Sequence, residues 1–218
     1  IAMFFAVHSF AHEEKFLARN FTLVTIVVAA TYVVCMATVH YFNSYLMPIS
    51  LVSLILLVLT NRKTSLIASS CTALFLMTSF ISTDMLENNI DVYQVIASIV
   101  CNLVAAICVN SLASRHYTRL KFLMMSALAA FVSAPLVVIS TMAIGDVSME
   151  ILFNIAWSYG GNLAAVIVSL PFCAIFEGIF NIADDFKLNE LTALSHPLLK
   201  RLASEAPGTF NHSLVVGK

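Results

Sequence analysis

The chain has 218 residues, of which 60% are apolar and 11% are charged. Soluble domains carry about 25% charged residues, so this composition excludes a water-soluble globular domain, a disordered chain and a nucleic-acid binder with a basic face. The formal net charge of −1 indicates no overall attraction to anions or cations. The composition therefore predicts an all-α, polytopic transmembrane helix bundle whose main partner is the lipid bilayer.

Six segments are long and apolar enough to be predicted as complete spans, because about 20 helical residues cross a hydrocarbon core of about 30 Å. In chain order they are Phe21–Phe42, Leu46–Thr60, Thr64–Ile81, Val92–Ala113, Phe122–Ile144 and Ile151–Phe180. The second is short because Pro48 lies near its start and the Asn61-Arg62-Lys63 turn ends it. The apolar segment Ile1–Phe10 is interpreted as the end of a truncated first span, with an interfacial helix as the alternative.

The basic residues predict the orientation of these spans. Three loops, His40–Tyr45, Ser82–Asp91 and Gly145–Glu150, contain no Lys or Arg. All the basic residues lie in the alternate connections or after the last span: Lys15, Arg19, Arg62, Lys63, Arg115, Arg119, Lys121, Lys187, Lys200, Arg201 and Lys218. Because short cytoplasmic loops are enriched in Lys and Arg, the basic connections and the carboxyl-terminal end are predicted to be cytoplasmic.

The spans contain polar groups but no charge. From Phe21 through Phe176 the apolar stretches hold no Asp, Glu, Lys or Arg, which argues against a proton-coupled transporter, a pump or a voltage sensor. The last span places Asn154, Ser158, Gly161 and Asn162 along one side. This stripe has two interpretations: a helix–helix seam, or a ligand pocket or hinge around Gly160-Gly161 and Pro171.

The five cysteines lie inside the apolar spans and form no CxxC pair, so they are predicted to be small buried apolar side chains rather than metal ligands or a redox pair.

The composition changes after Phe180, where charged residues return and leucines recur at helical spacing. Pro197 fits the first turn of a helix that runs to about Glu205, and Ala206-Pro207-Gly208 ends it. Thr209 is predicted to cap a last helix that carries His212. The predicted organisation is a transmembrane domain over 1–180, connector helices over 181–205, and the beginning of a further domain over 206–218.

Several motifs resemble one known family. They are Pro171, Glu177 and Phe180, then KLNEL at Lys187–Leu191, HPLLKRL at His196–Leu202 and EAPGTFNHSLVVG at Glu205–Gly217. The sequence resembles bacterial seven-transmembrane proteins with an intracellular HD-type metal phosphohydrolase domain. These proteins include the membrane-bound phosphodiesterases of cyclic di-AMP.

The resemblance implies a location, a metal site and partners. The protein would lie in the bacterial inner membrane, and residues 206–218 would be the truncated start of the HD domain. His212 would match the first metal-ligating histidine, with a pair of divalent ions, manganese or iron, in the intact parent. The alternative for His212 in this chain is an exposed histidine without a metal. The resemblance also implies a cyclic dinucleotide substrate and a homodimer, whereas the fragment alone would be inactive.

Three functions are compatible with these observations. The first is a membrane sensor and anchor that relays a signal to the cytoplasmic hydrolase through the leucine-patterned connector. The second is a passive membrane anchor. The third is a carrier for a neutral solute, in which the polar stripe of the last span would line the transport path.

Overall fold

The computed structural model describes residues 14–87, 92–112, 119–144, 149–180 and 197–216. Within these ranges every regular element is helical, which confirms the predicted all-α fold. The helices are α1 (Glu14–Tyr41), a 3-10 turn (Ser44–Leu46), α2 (Ser50–Leu59), α3 (Arg62–Glu87), α4 (Val92–Leu112), α5 (Arg119–Ala130), α6 (Ser133–Ile144), α7 (Glu150–Phe180), α8 (Pro197–Glu205) and α9 (Pro207–Val216). The predicted partial span Ile1–Phe10 lies outside the described residues.

Among the residues that the structure describes, five helical segments are long and apolar enough to cross a membrane: Phe21–Tyr41, Arg62–Ser82, Tyr93–Leu112, Leu120–Met142 and Glu150–Phe180. Each contains or overlaps a predicted span. The chain is therefore a multi-pass membrane protein. The predicted second span differs from the other five, because its α-helix has only ten residues.

Helix α2 occupies the centre of the bundle. At about 1.5 Å per residue it is about 15 Å long, half the thickness of a hydrocarbon core. All ten of its residues are buried, and it packs against α1, α3, α4 and α7. Apart from Ser50 and Ser53 the helix is apolar, and a helix that is apolar nearly all round is stable where other helices surround it.

The predicted span Phe122–Ile144 is divided into two helices, α5 and α6. Phe131 and Val132 form a turn in which their amides donate to the carbonyls of Leu128 and Ala129, both at 3.2 Å. Pro135 explains the interruption, because it has no N–H to bond the carbonyl of Phe131 and its ring crowds that carbonyl. The amide of Ala134 bonds the Phe131 carbonyl instead, at 3.1 Å.

The chain divides into two compact units, Ile1–Ile182 and Ala183–Lys218. In the second unit, α8 begins at Pro197 and ends at Glu205, as the sequence predicts, and Arg201 and Glu205 form an exposed ion pair of 2.8 Å. Helix α9 begins at Pro207, two residues before the predicted cap Thr209. Proline is favourable at the first position of a helix, so Pro207 starts this helix rather than interrupting the chain.

Candidate functional site

The polar stripe of the last span lies against other helices. Asn154, Ser158, Gly161 and Asn162 of α7 are all buried. They follow one side of the helix, as the sequence predicts, and their contacts reach α4, α6 and the segment before α2. These residues therefore contact protein rather than lipid.

We call the interface between the polar stripe of α7 and the residues it contacts the polar seam. Asn102 of α4 and Asn162 of α7 form its centre. The Asn102 amide nitrogen donates to the carbonyls of Ser98 at 3.0 Å and Tyr45 at 3.2 Å. Its carboxamide oxygen accepts from the Asn162 amide nitrogen at 2.8 Å, and that nitrogen also donates to the Ser158 carbonyl at 2.9 Å. Because backbone carbonyls can only accept, these bonds determine the orientation of both side-chain amides.

This orientation leaves one acceptor unsatisfied. Within the described part of the chain, the Asn162 carboxamide oxygen has no hydrogen-bond partner, although the residue is fully buried. A buried polar atom without a partner costs about 1–3 kcal/mol. The seam therefore contains one buried acceptor whose desolvation is not compensated by a hydrogen bond.

Ser158 extends the seam to the interruption between α5 and α6. Its hydroxyl donates to the hydroxyl of Ser133, the first residue of α6, at 3.2 Å, and lies 3.5 Å from the Asn102 oxygen. The turn at Phe131 and Val132 consequently lies next to the middle of the seam. Sequence reasoning missed this turn, and Pro135 was the signal that could have indicated it.

Gly161 allows the segment before α2 to approach α7 closely. A Cβ atom at this position would lie 2.9 Å from the carbonyl carbon and 3.2 Å from the Cα of Leu46. Real Cβ atoms essentially never come that close to backbone. At the adjacent Gly160, the same Cβ atom would have no atom within 4 Å. Gly161 is thus the position that requires glycine for packing.

The Leu46 contact lies deep along α7. Gly161 is eleven positions after Glu150, or about 16 Å along the helix axis. Backbone that is not helical is tolerated at this depth only where protein supplies its hydrogen bonds. The Asn102 amide nitrogen donates a hydrogen bond to the Tyr45 carbonyl, and the Asn43 carboxamide oxygen accepts one from the Tyr45 amide at 2.8 Å.

A second polar cluster joins α2, α3 and α4. The Ser65 hydroxyl donates to the Ser53 carbonyl at 2.7 Å, and the Ser53 hydroxyl donates to the Ala106 carbonyl at 3.1 Å. The Asn110 amide nitrogen donates to both serine hydroxyls. The sequence contained the signal for this cluster, an asparagine inside the apolar span Val92–Ala113, but its partners were not predictable from the spacing.

His212, the one predicted metal ligand, lies on α9 with an exposed side chain. Among the residues that the structure describes, no group of three or more His, Cys, Asp and Glu side chains could hold a metal. A single imidazole does not provide the ligand set of a binuclear site. The described residues by themselves therefore do not fit a pair of divalent ions.

The comparison with protein families covers most of the chain. The family described as "7TM receptor with intracellular HD hydrolase" matches residues 1–183. The chain belongs to this family. The match includes α1 to α7, so the whole polar seam of this chain lies within the matched residues.

Two curated relatives are both named cyclic-di-AMP phosphodiesterase PgpH. The protein of Listeria monocytogenes serotype 1/2a is 29% identical over 105 residues, which cover 47% of this chain and 15% of the relative. The protein of Bacillus subtilis strain 168 is 26% identical over 177 residues, which cover 79% of this chain and 24% of the relative. The chain thus spans less than a quarter of the length of these family members. No solved structure gives a significant match.

Proposed function

We propose that this chain is the membrane module of a metal-dependent cyclic-di-AMP phosphodiesterase and that it relays a signal to a cytoplasmic HD domain. The observation that carries the proposal is the family match over residues 1–183, whose description names both a membrane receptor and an intracellular hydrolase. The names of the two relatives support cyclic di-AMP as the substrate of the parent protein.

The proposed relay uses the length and continuity of α7. This helix has 31 residues, about 46 Å, and therefore exceeds the thickness of a hydrocarbon core of about 30 Å. A displacement of its outer end is transmitted along one helix to Phe180, where the connector begins. The polar seam supports such movement as a unit, because it links α7 to α4 and α6 through side-chain hydrogen bonds.

The parent protein would hold the catalytic metals outside the membrane region. By family resemblance the ions would be manganese or iron, and His212 would contribute one imidazole to them. The basic residues at the beginning of α3 and α5 support a cytoplasmic location for the carboxyl-terminal unit. The bacterial inner membrane is proposed on family resemblance. By family resemblance alone, the parent protein would form a homodimer.

Hydrolysis assays test the enzymatic part of the proposal. The full-length parent protein in phospholipid vesicles with Mn²⁺ is expected to hydrolyse cyclic di-AMP, whereas this chain alone is not. The parent variant His212→Ala is expected to lose at least about 100-fold in activity, because a metal ligand is removed. Wild-type activity in the His212→Ala variant would contradict the metal role, and turnover by this chain alone would contradict the fragment assignment.

A linker replacement tests the relay against the passive-anchor alternative. Vesicles of short-chain and long-chain phospholipids change the bilayer thickness and thereby perturb the spans. The hydrolysis rate of the parent protein is expected to depend on thickness. Replacing Leu188–Leu194 by Gly and Ser is expected to abolish that dependence, and an alanine-based helical replacement of the same residues is expected to retain it. A rate that never depends on thickness would favour the passive anchor.

The neutral-solute carrier receives less support than the other two functions. Its path was expected along the polar stripe of α7. The stripe is buried, and its amides and hydroxyls bond to polar side chains of α4 and α6 and to a backbone carbonyl. Solute flux through vesicles that contain only this chain would nevertheless favour the carrier.

A further inference from the structure

A cavity of about 260 Å³ lies between α1, the start of α2 and α7, and it borders the polar stripe of α7 at Gly161. Its walls include Thr31 and Val34 of α1, Pro48 and Leu51 around the start of α2, and Ala164 and Phe172 of α7. All three walls belong to the membrane-embedded unit. We call this cavity the α1–α7 groove.

The α1–α7 groove presents a hydrocarbon surface. Its lining contains no charged side chain, and the two hydroxyl-bearing residues in it are Thr31 and Thr38. The Thr31 hydroxyl donates to the Val27 carbonyl and the Thr38 hydroxyl to the Cys35 carbonyl, both at 2.8 Å. Because these donors are satisfied within α1, the groove offers little to a water molecule, which needs two to four polar partners.

The groove opens sideways, toward the surface that faces lipid. Val34 on one rim is 42% exposed, and Phe172 on the other is 40% exposed. Next to these rims, Val33 of α1 and Ile167 and Ile175 of α7 are exposed apolar side chains. In a bilayer these helix surfaces contact acyl chains, so the mouth of the groove opens into hydrocarbon.

The dimensions of the groove distinguish its occupants. An engineered apolar cavity of about 150 Å³ stays dry and binds benzene, so about 260 Å³ accommodates a larger apolar molecule. Three turns of a helix about 10 Å in diameter occupy roughly 1,300 Å³, which the groove does not provide. A narrow, flexible chain fits inside the groove, whereas another transmembrane helix would insert only side chains into it.

We propose that the α1–α7 groove binds one acyl chain of a membrane phospholipid, which enters sideways from the bilayer. The bound chain contacts α1, α2 and, through Phe172 and Phe176, the turns of α7 that follow Pro171. Its stabilisation comes from van der Waals packing, since transfer from the bilayer gains no hydrophobic free energy. This binding site does not depend on the proposed function of the parent protein.

Photolabelling of the full chain tests this site. The chain is reconstituted into vesicles of phosphatidylethanolamine and phosphatidylglycerol with a phospholipid that carries a diazirine in the middle of one acyl chain. Mass spectrometry then locates the adducts. Adducts are expected on Thr31 and Leu51, which line the groove and are only 2% and 8% exposed, as well as on lipid-facing Leu128 and Ile139.

Two variants fill the groove, and one serves as a matched control. Ala164→Phe on α7 and Ala30→Phe on α1 place an aromatic ring in the groove, whereas Ala156→Phe changes an exposed alanine of α7 outside the lining. The groove adducts are expected to fall about tenfold, equivalent to about 1.4 kcal/mol, in each filling variant and to stay unchanged in the control. Adducts on Leu128 and Ile139 should be equal in all proteins, and this equality shows that each variant is inserted in the bilayer.

Three outcomes would overturn the proposal. The first is wild-type protein without adducts on Thr31 and Leu51. The second is unchanged labelling of these residues in both filling variants while Leu128 and Ile139 label normally. The third is a photo-cross-link from a diazirine-bearing amino acid placed at position 164 to another protein segment or to a second copy of the chain, because a protein side chain would then be the occupant.

Discussion

The amide nitrogen of Asn162 donates to the carboxamide oxygen of Asn102 at 2.8 Å, and this bond joins the last span to the middle of α4. The same Asn102 side chain donates to the carbonyl of Tyr45, which lies in the non-helical segment before α2. One side chain thus connects two spans and an interrupted backbone. Its position explains why an apolar span contains a buried asparagine.

Asn102→Ala is expected to destabilise the protein more than Asn162→Ala. Loss of Asn102 removes the partners of the Tyr45 carbonyl and of the Asn162 amide, and each unsatisfied buried group costs about 1–3 kcal/mol. Loss of Asn162 also removes its own unpaired oxygen, which offsets part of the cost. Unfolding by sodium dodecyl sulfate in mixed micelles measures both free energies. If both variants lost the same free energy of unfolding, the greater role assigned to Asn102 would be wrong.

Gly161→Ala and Gly160→Ala form a matched pair on adjacent positions of α7. The methyl group at position 161 would overlap the backbone of Leu46, and overpacking of this kind costs about 1–3 kcal/mol. At position 160 it has open space, and the higher helix propensity of alanine should stabilise α7 by about 0.5–1 kcal/mol. Thermal unfolding in detergent compares the two variants. A tolerated alanine at 161 would show that the Leu46 segment can move away from α7.

Ser65→Ala is expected to cost about 1–2 kcal/mol, whereas Ser70→Ala on the same helix should be close to neutral. The buried Ser65 hydroxyl donates to the Ser53 carbonyl and accepts from Asn110, so its loss affects α2 and α4. The Ser70 hydroxyl donates to the Leu66 carbonyl one turn earlier in α3, and that carbonyl belongs to the same helix. Unfolding curves for both variants make the comparison. If both variants lost the same amount, the interhelical bonds of Ser65 would contribute nothing.

Single cysteines test the orientation of the bundle. Arg62→Cys, at the start of α3, is expected to react with a membrane-impermeant maleimide only when the cytoplasmic side is accessible. Phe42→Cys follows α1, where the side chain is 68% exposed, and should react only from the opposite side. The wild-type protein is the control for reaction of the five native cysteines, all of which lie in predicted spans. Reaction of Arg62→Cys from the outer side would contradict the predicted orientation of every span.

The sequence indicated the polar side of α7 but not its partners. Four buried residues of the stripe were identifiable because the helical period places them on one side of α7. Asn102 lies 60 positions before Asn162, and no local pattern relates residues so far apart. The same reason applies to Gly161: its spacing is that of many small residues in spans, and only the proximity of Leu46 distinguishes it from Gly160.

What the sequence by itself determined follows from local physics. Apolar length and the absence of charge define where helices cross the bilayer, the distribution of Lys and Arg predicts their orientation, and the string from Glu205 to Gly217 indicates the family. Only the tertiary structure decided that α2 is enclosed by other helices, that the Phe122–Ile144 segment is interrupted, and that an apolar groove opens beside α7. These features depend on which helices become neighbours, and contacts between distant segments of the chain determine that arrangement.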